Sequence, residues 1–465
     1  MIWVIGRKEF REIVRDRRFL VTGVVLLALL LSVLFAGWSR RREQERVQRA
    51  ATESTRQYWE AQGVKNPHSA AHFGIYAFKP VLPLSHLDQG VDPYLGTAVW
   101  MEAHKQNPFV FPPAENATGL QRLGEATAAS ALQLLLPLLI ILLCFSSFAG
   151  ERERGTLPQI LSIGVSPSQL ALGKAAGIAA SLGILLLPAL ATAAFALAKE
   201  TGTWIRLGLI GLDYGLYGAI FIAISLAVSA AAKTSRASLA VLLGFWTLSC
   251  LIVPRLAADS AERLYPVPTN AEWWRMIEND MRHGVDGHNE ADERTQQLKR
   301  DILARYGVER IEDLPVNFTG LALQAGEEYG NRVFDRRYAE LWGQYRRQDR
   351  LQLCFGLVSP LVAVRDLSMR LAGTDFTQHR DFALAAERYR RSLNKTMNLE
   401  LAYRSRGTES YQAGPELWKS LPPFKYAPMR LSEALSGAWV SAGLVVYWLA
   451  LSGGAAYLAA KRWRI

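Results

Sequence analysis

ASALQLLLPLLIILLCFSSFAGERERGTLPQILSIGVSPSQLALGK, from Ala129 to Lys174, decides how the rest of the chain is read. Its first half, Ala129 to Gly150, contains no charged side chain. A helix needs about twenty such residues to cross the hydrocarbon core of a bilayer. At Glu151 the pattern changes abruptly to Glu151, Arg152, Glu153 and Arg154, a mixed-charge run that must sit in water or be paired. Thr156-Leu157-Pro158-Gln159 then has the form of a capping box with proline in the first turn. Leu157, Ile160 and Leu161 give a short apolar face, and Ser166-Pro167-Ser168 opens the next helix. The reading is a membrane span, a compact surface helix and a second span. The surface helix either docks in a groove on a soluble partner or is a plain connector; its residues alone leave both open.

Outward from this stretch, five more segments are long and apolar enough to span. They are Phe19 to Trp38, Leu170 to Ala198, Trp204 to Ala232, Ser238 to Pro254 and Leu435 to Ala460. The expected fold class is therefore an all-α integral membrane protein with six transmembrane helices and two large, mainly helical extracytoplasmic insertions. The expected order is an interfacial helix at 1–18, the first span at 19–38, and an insertion at 39–128. Spans two to five follow at 129–254 with the loop 150–169, then a second insertion at 255–433, the last span at 434–460 and a tail at 461–465. The apolar stretch of the first span exceeds the 7–15 residues of a signal h-region, and no A-x-A site follows it, so an uncleaved anchor is expected. The basic stretch from Arg40 reads as a helix continuing out of that span. Ile2, Ile5, Ile13 and Val14 share a face beneath a basic one, which fits either an interfacial helix or an ordinary basic flank.

Hydrophobic residues make up 50% of the 465 and charged residues 20%, so the apolar residues are concentrated in the spans. The net charge of +11 is read as orientation rather than nucleic-acid affinity, because no basic run interleaved with aromatics is present. Arg7, Lys8, Arg11, Arg15, Arg17 and Arg18, then Arg152, Arg154 and Lys174, then Lys233 and Arg236, then Lys461, Arg462 and Arg464 mark one side as cytoplasmic. The short loop on the other side has only Lys199 and Arg206. Arg40, Arg41, Arg42, Arg46 and Arg49 oppose this at the first span, so the later loops decide. Both termini are expected in the cytoplasm and both insertions in the periplasm, with the chain multi-pass in a bacterial cytoplasmic (inner) membrane.

Enzymatic chemistry finds little support. GxxxxGK[ST] and GxSxG are absent. The three cysteines, Cys144, Cys250 and Cys354, are scattered and read as packing residues. No catalytic or cofactor-binding residue is assigned. His68 and His72 stand at i, i+4, but no third ligand lies near them in sequence, and no metal ligand is assigned. Within the spans Asp213, with Arg206, is the clear ionisable candidate, and is read as interfacial. LQLCFGLVSPLVAVRDLSMRLAG, from Leu351, is broken by Gly356 and Pro360. It is expected as an apolar core or an interfacial helix near the outer leaflet.

The loop after the second span resembles that of permease subunits of type-2 ABC transporters (ABC-2 type). Glu151, Arg152, Glu153, Gly155, Thr156, Leu157, Leu172, Gly173 and Lys174 match it. NPHSAAHFGIYAFKP, the stretch from Gly90 to Asn107, and LAGTDFTQHRDF resemble segments of a bacterial subfamily whose extracytoplasmic insertions have no assigned function. The resemblance implies a coupling helix at 151–161 comprising Glu151, Arg152, Glu153, Arg154, Gly155, Thr156, Leu157, Ile160 and Leu161. It also implies separate cytoplasmic ABC ATPase subunits that carry the ATP and Mg, and a second permease copy or sister permease. The expected function is a permease, an exporter of unknown substrate, with membrane lipid and a periplasmic protein as candidate partners and no nucleic acid. One alternative is an ATP-driven mechanical transmitter acting on a periplasmic partner without flux. Another, a secondary carrier or channel, is disfavoured by the nearly uncharged spans.

Overall fold

A computed structural model describes residues 1–116, 126–198, 200, 202–285, 288–289 and 291–462. Lys199, Arg464 and the end of the tail at 463–465 lie outside the described residues. In chain order the helices begin with α1 (Ile2–Arg15), α2 (Arg17–Glu60) and α3 (Pro67–Phe73). Strands β1 (Ile75–Phe78), β2 (Ala98–Met101) and β3 (Gln106–Val110) follow. Next come α4 (Ala128–Cys144), α5 (Ala149–Glu153), α6 (Thr156–Ser162), α7 (Pro167–Ala196), α8 (Trp204–Ala231), α9 (Ser235–Trp246) and α10 (Val253–Leu264). The rest are α11 (Asn270–Met281), α12 (Glu293–Tyr306), α13 (Phe318–Cys354), α14 (Pro360–Ala372), α15 (Phe376–Arg404), α16 (Pro415–Ser420), α17 (Leu431–Ser436) and α18 (Trp439–Lys461).

Among the described residues six helices are long and apolar enough to cross a membrane: Arg17–Glu60, Ala128–Glu153, Pro167–Ala196, Trp204–Ala231, Ser235–Leu264 and Trp439–Lys461. They coincide with the six expected spans. The first does continue past its apolar part, as the basic stretch from Arg40 implied, and reaches Glu60 without a break. Arg41, buried on that extension, is held by Glu200 at 2.9 Å. Asp16 starts the helix by accepting a hydrogen bond from the Arg18 amide at 2.8 Å.

The fifth span contains a π-helical turn, Thr247–Ile252, between α9 and α10. Such a turn widens the backbone and releases a carbonyl from its usual partner. The Ser359 hydroxyl donates to the Ser249 carbonyl at 2.7 Å and fills that vacancy. Ser359 opens α14, whose Leu361, Ala363, Val364 and Leu371 are buried in the same core as the spanning helices. α14 packs on α8 and α18. The segment from Leu351 is therefore a helical hairpin that dips into the bundle, and the apolar-core expectation is the one met. Its non-helical corner is tolerated because protein surrounds it.

The two insertions were read as separate domains, yet they share one core. Trp59, Ile75, Val99 and Met101 from the first pack with Phe382, Leu393, Met397 and Trp418 from the second. Trp59 donates its indole N–H to the Trp418 carbonyl at 3.0 Å, and the two rings meet edge to face. Within its mainly helical makeup the first insertion also holds a feature the sequence did not announce: β1, β2 and β3 form a three-stranded antiparallel sheet in that order. Ile75-Tyr76-Ala77-Phe78 alternates buried and half-buried residues, the period of a one-sided strand. The flanking prolines bound these strands rather than merely interrupting helix.

Candidate functional site

The loop after the second span is held from three directions by three of the four charged residues that open it. Glu151 is buried and pairs with Lys174 Nζ at 2.9 Å. Lys174, only 3% exposed on α7, also meets Glu9 of α1 at 3.1 Å. Arg152 donates to the carbonyls of Ala230, at 2.7 Å, and Ala232, where α8 ends and its last carbonyls have no helical partner. Glu153 accepts from the Ser235 amide at 3.0 Å and hydroxyl at 2.6 Å, at the start of α9. An acidic group at a helix N-terminus also meets the positive end of the helix dipole. Each of these three charges thus ties the loop to a different part of the bundle: α7 and α1, α8, and α9.

α1 is drawn onto α7 by glycines as well as by the ion pairs. A Cβ at Gly173 would lie 2.6 Å from the Ile5 Cβ, and one at Gly177 2.7 Å from the Gly6 carbonyl oxygen. The buried face of α1 is Gly6, Glu9 and Ile13. α1 is thus packed on protein along one side, while Trp3, 80% exposed, and Val4 stand on the other.

α6 sits beyond this clamp. Gly155 precedes it with φ at 71°, a left-handed turn that suits glycine. The expected capping box at Thr156 does not form, because Gly155 takes the N-cap position and the Thr156 hydroxyl donates to the Glu151 carbonyl at 3.2 Å. Leu157 is buried in the bundle core, and Ile160 and Leu161 pack against that core. The apolar face read as a docking surface is thus the inward face. The outward face presents Glu153, Arg154, Gly155, Pro158, Gln159, Ser162 and Ile163. Ile163, which the sequence reading passed over, is 77% exposed. A cleft of about 550 Å³ opens between α1 and α6, bordered by Lys8, Glu12, Arg154 and Gln159.

Toward the other end, α2, α4, α7 and α8 enclose an apolar cavity of about 640 Å³. One wall carries Tyr214, Ser368 and Asp88, linked by hydrogen bonds: Tyr214 with Ser368 at 3.0 Å and Ser368 to Asp88 at 2.5 Å, while Gln133 donates to the Tyr214 hydroxyl at 3.0 Å. Burial pushes the Asp88 carboxyl up, against the pull of its bonds from Ser368 and the Gly90 amide. Asp213 is buried against protein, and neither carboxylate oxygen has a hydrogen-bond partner among the described residues.

One further group of side chains gathers ligand atoms. His68 and His72 are joined by His104 and His288, all four offering nitrogens within 4.8 Å of one another. Behind His104 lies Glu327. Burial alone would raise its carboxyl, but the His104 hydrogen bond and the Arg390 guanidinium hold it at about 2. No metal-ligand role was assigned from sequence, since two of the four residues are remote from the first pair.

Residues 111–277 match the model of the ABC-2 family transporter protein. Residues 111–277, which hold spans two to five, are thus similar to an ABC-2 type permease. A probable ABC transporter permease protein NosY of Pseudomonas aeruginosa is 34% identical over 136 residues, 27% of this chain and 50% of that protein. The corresponding protein of Stutzerimonas stutzeri is 29% identical over 134 residues, 27% of this chain and 48% of its own length. The chain spans about half the length of these curated relatives. Residues 271–427 match a domain of unknown function (DUF3526). That match covers α11 to α16, hence the inserted hairpin and the second half of the shared core.

Proposed function

We propose that this chain is the membrane permease subunit of an ATP-binding-cassette transporter. It pairs with a second copy or a sister permease and is driven by separate cytoplasmic ATPase subunits that bind the ATP and Mg. The observation that carries this reading is the clamp around α5 and α6. A small surface helix whose anchoring charges reach α1, α7, α8 and α9 is placed to pass a push on its outer face to several spans at once. The termini and this helix lie on the cytoplasmic side, and the insertions lie in the periplasm of a bacterial inner membrane. The cavity bounded by Leu30, Leu136, Leu187 and Tyr214 would take an apolar or lipid-like part of a cargo.

Reconstitution into vesicles with the cognate ATPase tests the proposal. ATP-dependent accumulation of cargo supports export. Gradient-driven flux with no ATPase present would overturn it. A second reading, in which ATP hydrolysis moves the insertions against a periplasmic partner without flux, is favoured by the unbroken helix from Arg17 to Glu60 and the shared core at its far end. ATPase activity controlled by that partner, with no cargo movement, would select it.

A further inference from the structure

The four histidines converge in a way that neutral imidazoles alone do not satisfy. His68 Nδ1 is 2.9 Å from the Asn398 side-chain oxygen. Asn398 turns its amide nitrogen toward Gln324, at 3.4 Å, so its oxygen is the atom facing His68. The proton of His68 therefore sits on Nδ1, and Nε2 carries a lone pair. His104 Nδ1 is 2.9 Å from Glu327 Oε1, a carboxylate that can only accept, so His104 likewise keeps its proton on Nδ1. Yet the two Nε2 atoms face each other at 3.2 Å. Two lone pairs at that distance repel unless a cation lies between them.

The other two ligands complete the ring. His72 Nε2 is 3.1 Å from His68 Nε2, and His288 Nε2 is 2.8 Å from His104 Nε2. A tetrahedral ion with metal–nitrogen bonds of about 2.0–2.1 Å would hold its ligand atoms roughly 3.3 Å apart. Small ring movements, outward for these close pairs and inward for the widest of the four, which lie within 4.8 Å of one another, would bring the nitrogens to that spacing.

The surroundings are those of a built site. Glu327 is buried and fully engaged, with Oε1 on His104 and Oε2 on Arg390 at 3.3 Å and Asn394 at 3.4 Å. It orients a ligand and is not itself one, the usual arrangement of a carboxylate behind a metal-binding histidine. Arg390 is locked in turn by Glu387 at 2.8 Å and Asn331 at 2.6 Å. His104 adopts φ of 65° in the turn between β2 and β3, a conformation that costs a non-glycine residue energy and is kept where surroundings enforce it.

The geometry points to a binding site for a divalent late first-row transition metal, Zn²⁺ by its fit to a closed tetrahedral shell, formed by His68, His72, His104 and His288. Four imidazoles with no carboxylate or thiolate among them suit such an ion and not Mg²⁺ or Ca²⁺. Three ligands belong to the first insertion, on α3 and the β2–β3 turn. The fourth belongs to the second insertion, in the segment between α11 and α12. Bound metal therefore fastens that segment to the first insertion, and His288, the exposed ligand, is the one that releases.

The test uses the full chain in detergent or nanodiscs, stripped with a chelator and dialysed against Zn²⁺. Metal analysis should find one ion retained per chain, with Mg²⁺ retained not at all. Co²⁺ substitution should give the intense visible absorption of a tetrahedral nitrogen site. His288→Ala, in an exposed segment, should weaken Zn²⁺ binding at least tenfold with an unchanged elution profile. His104→Ala should abolish binding. His283→Ala, which removes a nearby exposed histidine bonded to its own helix at Asn279, should change nothing. No retained ion, or equal retention by wild type, His104→Ala and His288→Ala, overturns the site.

Discussion

The indole nitrogen of Trp448 donates to the carbonyl of Gly356 at 2.7 Å, inside the membrane bundle. Trp448 lies nine residues into α18, roughly 14 Å along its axis. The hairpin between α13 and α14 thus reaches well down the last span. A Cβ at Gly356 would lie 2.6 Å from Leu444 Cδ1, so any side chain at this corner requires Leu444 to shift. Trp448→Phe should cost about 1–3 kcal/mol, the penalty of leaving a buried carbonyl without its partner. Gly356→Val should also destabilise, because its branched side chain must displace the buried Leu444. Thermal unfolding in detergent measures both, and an unchanged midpoint in Gly356→Val would contradict the packing described.

Lys174 balances two buried carboxylates. Lys174→Met should destabilise the protein by about 3–5 kcal/mol, since Glu9 and Glu151 would be left buried without a cation. The triple variant Lys174→Met, Glu9→Gln, Glu151→Gln should recover a large part of that loss. If the single and triple variants unfold alike, the ion pairs are not what holds α1 to α7.

Leu157 and Ile163 should behave oppositely. Leu157 is buried, so Leu157→Asp should lower the yield of folded protein. Ile163 is exposed and next to the outward face of α6, so Ile163→Asp should leave folding intact and reduce co-purification of the ATPase. Retained co-purification in a well-folded Ile163→Asp protein would remove the outer face of α6 from the ATPase contact.

His379 packs on Phe109 in the insertions, where burial, helped by the Lys79 charge, pushes its imidazole down to about 3. Burial also lowers His86. Below about pH 6.5 the unfolded chain binds protons that the folded one refuses, so the unfolded state gains. Stability should be level above that value and fall as pH drops toward 3. The slope of unfolding midpoint against pH should flatten in His379→Leu; an equal slope would show that this histidine is not the source.

The spans were legible because twenty apolar residues in a row admit few other readings, and the continuation of the first helix followed from charges with no breaker between Arg40 and Glu60. The cap of α6 was not legible. Gly155 and Thr156 both suit a helix start, and the left-handed turn decides between them only in three dimensions. Which side of α6 faces inward was equally hidden, because Leu157 would suit a partner protein or its own bundle. The sheet was masked by the prolines around it. The histidine cluster was out of reach, as His104 is 36 residues from His68 and 184 from His288, distances that no periodicity spans.

The helix from Arg17 to Glu60 is, by its 44 residues, a rod about 66 Å long. Its foot is coupled through Asp16 to α1, and so to the Lys174 ion pairs; its tip carries Trp59 into the core beneath the histidines. Tilting a rod of that length by 5° about its foot sweeps its tip through roughly 6 Å, several times the length of a metal–nitrogen bond. A movement too small to notice at one face of the bundle would arrive at the other amplified, as in the long arm of a lever.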